Sequence, residues 1–313
     1  MFEHNIGLLE QAVLGRALIN PVSQHRLADG SLDIAGNLRL WNEAMEPFER
    51  LPLWTLPVYA DELQGEPYLV PVPAAQKTES PLILIAHGGG FRWRTGCEAV
   101  NVAHWFHQRG YPVAILAYRL APHTRMDAFL DMRRAIRLLR SAKERVGFGG
   151  RIVAMGFSAG GMLAANAATL FDLGDAASAD PVERVSSRLD AAVVCYGAMS
   201  ATAFPAPFGQ QPDAALFGAT PEERFLLSAE RQVRTDMPPV FLWQTMSDDG
   251  RHGMNLASAL QAAGVPYELH IFQDGTHGLA LADGENDLDV FSESVSCWPE
   301  LCIRWMKVNG LSV

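Results

Sequence analysis

Short apolar runs alternate along the chain with longer segments in which apolar residues recur every three or four positions. The short runs are apolar at nearly every position, which is typical of strands covered on both faces of a sheet. They predict seven strands, at Pro67–Val72, Leu82–Ala86, Val113–Tyr118, Ile152–Met155, Ala191–Tyr196, Val240–Gln244 and Tyr267–Phe272. The longer segments predict helices at about 97–109, 126–146, 159–172, 253–263 and 297–308.

Strands that alternate with helices indicate an α/β fold with a mostly parallel central sheet and helices on both faces. We expect a single domain over residues 1–313, because no linker or repeat divides the chain. An N-terminal extension (about 1–52) opens with a predicted helix that Pro21 ends. An insertion (about 199–238) is rich in Ala, Phe, Pro and Gly. Both are candidate lid or specificity segments.

The predicted helix at 126–146 combines an apolar stripe with a cluster of basic residues. The cluster comprises Arg133, Arg134, Arg137, Arg140, Lys143 and Arg145. A charge cluster of this kind is more often a solvated helix face than a binding patch, and we therefore expect these side chains to face solvent.

Composition and charge exclude several classes of protein. With 49% hydrophobic residues the chain is long enough to bury a large core, and its net charge of −10 argues against a general nucleic-acid binder. Glu3, Glu10 and Arg16 interrupt the apolar N-terminal residues, so we expect no secretory signal. The apolar run at Pro81–Ala86 is far shorter than a membrane span. These features predict a cytoplasmic protein that does not bind membranes.

The cysteines indicate neither a disulfide framework nor a zinc site. Four cysteines occur in 313 residues, and none forms a C-x-x-C pair. We expect them to be buried thiols, and we expect no metal ion.

The strongest chemical signal is the sequence Gly156-Phe157-Ser158-Ala159-Gly160, between a predicted strand and a helix of small residues. A nucleophilic serine on a tight strand-to-helix turn needs glycines at its flanks, where side chains would collide with neighbouring backbone. The following helix directs its first amides and a favourable field at the serine. An ordinary glycine-rich turn is the alternative, but the strand–turn–helix setting favours Ser158 as a nucleophile.

A second signal, His87-Gly88-Gly89-Gly90-Phe91, follows the predicted strand at Leu82–Ala86. Three glycines after a strand could cradle a phosphate, but neither a G-x-x-x-x-G-K-[ST] motif nor a suitably placed ribose-binding acid accompanies them. In acyl transfer, such a loop supplies backbone amides to a developing oxyanion. We expect Gly88 and Gly89, with the amide of Ala159, to form this oxyanion hole, and His87 to have a structural role.

A serine nucleophile needs a base and an orienting acid, which in α/β-hydrolases follow it in the order acid, then histidine. Asp248 and Asp249 follow one late strand, and His277 lies in a glycine-flanked loop after the next. Four other histidines are poorer candidates for the base: His104 and His107 on a helix, His270 in a strand, and His252 too close to the acid. The motif itself does not separate Asp248 from Asp249.

The chain resembles the α/β-hydrolase fold serine esterases, and within them the acetylesterase or acetylxylan-esterase-like branch. The resemblance rests on HGGGF (87–91), YRLAP (118–122), GFSAGG (156–161) and ELHIFQDGTHGLALA (268–282), and it extends from about Leu53 to Met306. It implies a triad of Ser158, Asp248 and His277, no cofactor, and short acyl esters, acetyl above all, of sugars or small alcohols. The segment 249–254 departs from the valine–proline stretch usual in that branch.

Two other functions remain open at this stage. The same triad could serve a peptidase or a thioesterase, because a fold and a triad do not define the leaving group. A ligand-binding protein on a hydrolase scaffold is the third candidate, although such proteins usually lack a triad residue. The expected partner is a small-molecule or oligosaccharide ester, and the sequence does not indicate an oligomeric state.

Overall fold

A computed structural model describes residues 2–14, 26–55, 57, 63–76, 78–204, 213–286 and 288–311. Its centre is an eight-stranded sheet with the order β1-β2-β4-β3-β5-β6-β7-β8. The strands are β1 (Leu51–Pro52), β2 (Tyr68–Val72), β3 (Leu82–Ala86), β4 (Val113–Ala117), β5 (Ile152–Phe157), β6 (Ala191–Cys195), β7 (Val240–Thr245) and β8 (Tyr267–Phe272). The pairs β1–β2 and β2–β4 are antiparallel, and all other neighbours are parallel.

Helices connect and flank these strands. They are α1 (His4–Leu14), α2 (Ile34–Met45), α3 (Val102–His107), α4 (Arg125–Ser141), α5 (Lys143–Val146), α6 (Ala159–Thr169), α7 (Ala214–Phe217), α8 (Pro221–Leu227), α9 (Arg251–Ala263) and α10 (Trp298–Val308). A π-helical turn, Cys97–Asn101, leads directly into α3. No helix in the described ranges is both long and apolar enough to cross a membrane.

The sheet separates two hydrophobic cores. Successive residues of a strand point to opposite faces, and along β3 the side chains of Leu82, Leu84 and Ala86 join one core while Ile83 and Ile85 join the other. Helices α4, α6 and α9 cover the first core, and α3 and α10 cover the second. This arrangement confirms the predicted α/β fold with helices on both faces.

The seven predicted strands are all present, with ends that differ by at most two residues. The structure adds β1, only two residues long, and the helices α2, α7 and α8 within the extension and the insertion. Residues 15–25 of the extension, with the predicted stop at Pro21, and residues 205–212 of the insertion lie outside the described part of the chain.

The expectation that the basic cluster between Arg133 and Arg145 faces solvent is wrong for Arg134 and Arg137. Arg134 and Arg137 are only 3% and 4% exposed. Arg134 Nη1 lies 2.7 Å from Asp180 and 2.8 Å from Glu183, and Arg137 forms ion pairs with Asp172 and Glu183. The helical pattern could not reveal this, because these acids lie in the segment between α6 and β6 that folds over α4.

The cysteine prediction holds for three of four residues. Cys97, Cys195 and Cys302 are buried thiols, whereas Cys297 is exposed just before α10. An exposed thiol is compatible with this position because the residue begins a surface helix.

Candidate active site

Ser158 occupies the sharp turn between β5, at the centre of the sheet, and α6. Its backbone has φ 52° and ψ −115°, in a region that non-glycine residues rarely adopt. The Ser158 N–H donates to the Cys195 carbonyl at the end of β6 (2.9 Å), which helps to hold the turn in place. The side chain consequently stands at the carboxyl edge of the sheet, next to the first turn of α6.

The glycines that flank Ser158 are needed for backbone packing. A Cβ atom on Gly156 would collide with the carbonyl oxygen of Gly160 across the turn. A Cβ atom on Gly160 would collide with the carbonyl oxygens of Ala86 and His87, where β3 enters the glycine-rich loop. The G-x-S-x-G pattern therefore corresponds to close approach of β3, β5 and α6.

Ser158, His277 and Asp248 come together from three loops at this edge of the sheet. Ser158 Oγ lies 2.8 Å from His277 Nε2, and His277 Nδ1 lies 2.7 Å from Asp248 Oδ1. Because a carboxylate only accepts hydrogen bonds, Nδ1–H donates to Asp248 and leaves Nε2 to accept from the serine hydroxyl. The array can thus take a proton from Ser158.

Asp249, the alternative acid, pairs with Arg251. Its Oδ1 accepts a hydrogen bond from Arg251 Nε (2.7 Å), and this bond holds the pKa of the Asp249 carboxyl below its usual value. Of the other acids in this region, Asp274 accepts a hydrogen bond from the Ser292 hydroxyl (2.7 Å), which lies in the segment before α10. Of the two aspartates that the motif left open, Asp248 is the one in contact with the imidazole.

The pKa of His277 is raised above its ordinary value of 6.5. Burial in the site lowers this pKa, but the hydrogen bond from Nδ1–H to Asp248, the charge of Asp248 and the charge of Glu98 outweigh that effect. Negative charge close to the ring thus favours the protonated imidazolium form of His277.

The glycine-rich loop differs from expectation at Gly88. The Gly88 N–H donates to Glu98 Oε2 (2.8 Å) and to Thr95 Oγ1 (3.0 Å), so this amide is not available to a substrate oxygen. The assignment of Gly88 to the oxyanion hole is therefore corrected. Within the described residues, the amides of Gly89 and Gly90 donate to no protein acceptor, and Gly90 borders the cavity beside Ser158.

Gly89 and Gly90 both require the conformational freedom of glycine. Their φ angles are 100° and 58°, in the left-handed region, and a Cβ atom on Gly89 would collide with the Trp93 carbonyl. The third expected donor, the amide of Ala159, opens α6 and has no partner within its own helix. These three amides lie on the two chain segments that approach Ser158.

His87 and the N-terminal extension hold the glycine-rich loop in place. The His87 Nδ1–H donates to the Gly88 carbonyl (2.6 Å), and burial together with the charge of Arg94 lowers the pKa of His87 to about 3. From α2, the Asn37 side chain exchanges two hydrogen bonds with the Arg94 backbone (2.8 and 3.0 Å). The described part of the extension therefore buttresses the loop, with His87 as its neutral, buried support.

Ser158 opens into a cavity of about 290 Å³. Its walls are largely apolar, and Leu216 and Phe217 come from the insertion at about 199–238. The lining residues also include Met162, Tyr196, Gly197, Ala198, Gln244, Asp248, Asp249, His252 and His277. Ligand cavities commonly measure about 300–1,000 Å³, so this one lies at the small end of the range.

His252, which the sequence makes a poor candidate for the base, lies in the cavity wall at the start of α9. Its Nδ1 accepts the Ser200 N–H (3.1 Å), which fixes the neutral tautomer with the proton on Nε2. Burial lowers the pKa of His252 to about 4, so this tautomer persists at neutral pH. The segment 249–254 is unusual in the sequence, but no motif in it indicates that His252 is a donor.

The described residues provide no grouping of three or more His, Cys, Asp or Glu side chains suited to a metal ion.

Comparison with known proteins identifies relatives for most of the chain. The model of the BD-FAE family matches residues 70–252, more than half of the sequence. An acetyl ester-xyloside bifunctional hydrolase from Caldicellulosiruptor lactoaceticus is 36% identical, with a TM-score of 0.77 over 85% of this chain and 97% of that one.

Two further matches are weaker. The carboxylesterase Cest-2923 from Lactobacillus plantarum shares the fold, with 23% identity and a TM-score of 0.67 over 85% of this chain and 98% of its own. Endo-1,4-beta-xylanase B of Butyrivibrio fibrisolvens is 28% identical over 214 residues, or 65% of this chain. The match spans only about a third (33%) of that xylanase.

Proposed function

The chain belongs to the BD-FAE family of α/β-hydrolase fold proteins, and from this premise we propose that it is a serine carboxylesterase for short acyl esters of sugars or small alcohols. Acetyl is the proposed acyl group. The observation that carries the proposal is the chain of two hydrogen bonds, 2.8 Å and 2.7 Å, that joins Ser158 to His277 and His277 to Asp248. We further propose that the chain is one catalytic domain, decorated by the extension (about 1–52) and the insertion (about 199–238).

The proposed mechanism is acyl transfer in two steps. His277 takes the hydroxyl proton of Ser158 as the serine oxygen attacks the carbonyl carbon of the ester. The protonated His277 then donates this proton to the leaving alcohol. Water then attacks the acyl-enzyme with the same proton transfers, and the carboxylic acid is released. Asp248 orients the imidazole and stabilises the imidazolium. The amides of Gly89, Gly90 and Ala159 stabilise the oxyanion in both steps, and such a donor contributes about 3 kcal/mol.

The cavity supports a small acyl group. Its volume of about 290 Å³ and its walls of Met162, Leu216 and Phe217 suit a short apolar chain. We expect kcat/KM to fall from p-nitrophenyl acetate to butyrate to octanoate, because longer chains no longer fit. Initial rates on the three esters, with buffer blanks, provide the measurement. A preference for octanoate would contradict the short-acyl proposal.

The leaving group needs its own comparison, because peptidases and thioesterases use the same machinery. We expect hydrolysis of phenyl acetate to exceed that of the matched thioester and anilide, S-phenyl thioacetate and acetanilide. Faster cleavage of either analogue would reassign the enzyme to a thioesterase or an amidase.

His252 supports an oxygenated substrate. Its Nε2–H is a neutral donor in a mainly apolar wall, whereas the Gln244 side chain already bonds Gly253 and Gly197. We expect His252→Phe, which keeps a ring but removes the donor, to raise KM for tetra-O-acetyl-xylose by about 2- to 10-fold, the value of one hydrogen bond.

Phenyl acetate provides the matched substrate for this variant, because its leaving group carries no additional oxygen acceptor. We expect the loss on the acetylated sugar to exceed the loss on phenyl acetate several-fold. Equal losses on both substrates, with an unchanged melting temperature, would show that His252 does not recognise the sugar.

A further inference from the structure

Glu98 is a buried carboxylate that the sequence did not single out. It lies in the π-helical turn Cys97–Asn101, just after the glycine-rich loop, and is only 2% exposed. Its Oε2 accepts hydrogen bonds from the Gly88 N–H (2.8 Å) and the Thr95 hydroxyl, and its Oε1 accepts from the Tyr196 hydroxyl (2.7 Å). A buried carboxylate is costly unless it is hydrogen-bonded, and these three donors offset that cost.

Tyr196 carries this network to His277. Its hydroxyl oxygen accepts the Ala280 N–H (3.0 Å) from the loop that follows His277, while its O–H donates to Glu98. The rings of Tyr196 and His277 meet edge to face, with centroids 5.1 Å apart. Tyr196 itself has φ 39°, an unusual angle for a tyrosine at the end of a strand. Glu98 thus connects the glycine-rich loop, the end of β6 and the histidine loop.

We propose that Glu98 is a positioning residue for the reaction proposed above: it holds the Gly88 peptide and the Tyr196 ring so that the oxyanion amides and His277 face Ser158 together. Glu98 does not touch the reacting atoms. By engaging the Gly88 N–H, it leaves the next two amides, of Gly89 and Gly90, at the cavity side of the loop. Through its hydrogen bond with Tyr196, Glu98 also fixes the position of the ring that packs against the His277 imidazole.

The charges around Glu98 also connect it to His277. The Glu98 carboxylate raises the pKa of His277, after the larger contributions of Asp248, and burial with the Glu98 charge raises the pKa of Tyr196 well above its usual value. The other ionisable groups that face this network are Tyr118, Arg94, Cys97 and Cys195. Near neutral pH, Tyr196 therefore remains a donor to Glu98.

The test is Glu98→Gln, which keeps the size of the side chain, removes the charge and leaves one oxygen to accept. We expect kcat for p-nitrophenyl acetate to fall by about tenfold to a hundredfold with KM within about threefold, because misplaced oxyanion donors act on the transition state. The acid limb of kcat/KM should move to lower pH, since the removed charge had raised the pKa of His277.

A second readout does not depend on any ester. In protein labelled with 15N-histidine, the imidazole of His277 should titrate at lower pH in Glu98→Gln than in the wild type, with the signal assigned from His277→Gln. If the esterase proposal failed, this titration would still test the connection between Glu98 and His277. An unshifted titration with kcat within about twofold of the wild type would overturn the proposal.

Two further variants test the contacts of Glu98 with Tyr196 and with Thr95 separately. Both can be measured even if Glu98→Gln does not fold. Tyr196→Phe keeps the ring against His277 but loses the hydroxyl, and Thr95→Val removes only the hydroxyl beside Gly88. We expect Tyr196→Phe to lower kcat and Thr95→Val to have a smaller effect, because Gly88 retains its bond to Glu98. Wild-type kcat in Tyr196→Phe, or losses that only follow the melting temperature, would leave Glu98 a structural residue and overturn the proposal.

Discussion

Replacement of Ser158 by alanine is expected to lower kcat/KM for p-nitrophenyl acetate by on the order of 10⁴-fold or more, since the covalent step loses its nucleophile. The measurement is the initial rate of p-nitrophenol release, corrected for spontaneous hydrolysis. The fold should survive, because the Ser158 hydroxyl contacts His277 and the strained turn is held by backbone and glycine packing. An unchanged melting temperature would establish this.

Ser141→Ala is the matched control, because its hydroxyl donates to the Arg137 carbonyl on α4 and not to the site. We expect this variant to retain wild-type rates. Activity that survived in Ser158→Ala would contradict the nucleophile assignment and would move the reaction to another residue.

Replacement of Asp248 by asparagine is expected to lower kcat by about 10³- to 10⁴-fold, or about 4 to 5.5 kcal/mol of transition-state stabilisation. Asparagine can donate as well as accept, so it no longer fixes the imidazole tautomer or stabilises the imidazolium. The acid limb of kcat/KM, expected above pH 6.5 in the wild type, should move to lower pH, because Asp248 raises the pKa of His277. A pH–rate profile with each variant measures both effects.

Asp249→Asn is the natural comparison for this variant. Asp249 forms an ion pair with Arg251, which is largely exposed, and solvent screens such a pair so that it contributes little. We expect its loss of activity to be at most about tenfold, with no shift of the acid limb. A larger loss in Asp249→Asn than in Asp248→Asn would reverse the assignment of the acid.

The strands of the sheet could be predicted from the sequence because those buried on both faces are apolar at every position. β3 (LILIA) and β4 (VAILA) show this pattern without interruption. β1, with two residues of which one is Pro52, is too short to carry any pattern. In α2 (IAGNLRLWNEAM), polar residues interrupt the apolar stripe, and one of them, Asn37, is buried and bonds the Arg94 backbone just after the glycine-rich loop. The apolar residues of α2 therefore show only a weak helical period.

At the site, the sequence predicted the residues that carry a local motif. Ser158 and His277 stand in turns with recognisable glycine spacing, whereas the Gly88 error arose because its N–H binds Glu98, ten residues away and on another element. Neither Glu98 nor His252 has a local signature. The roles proposed for them depend on which loops meet at the sheet edge, and only the tertiary structure shows that.

The measurement that tests the central claim most directly is the identification of the residue that forms the covalent intermediate. Wild-type protein is treated with a p-nitrophenyl alkylphosphonate, which transfers its phosphonyl group to an activated serine, and is then digested and analysed by mass spectrometry. We predict one adduct per chain, on Ser158, formed in parallel with the loss of esterase activity and absent in His277→Gln under the same conditions. An adduct on another residue, or inactivation that leaves Ser158 unmodified, would contradict the proposed mechanism.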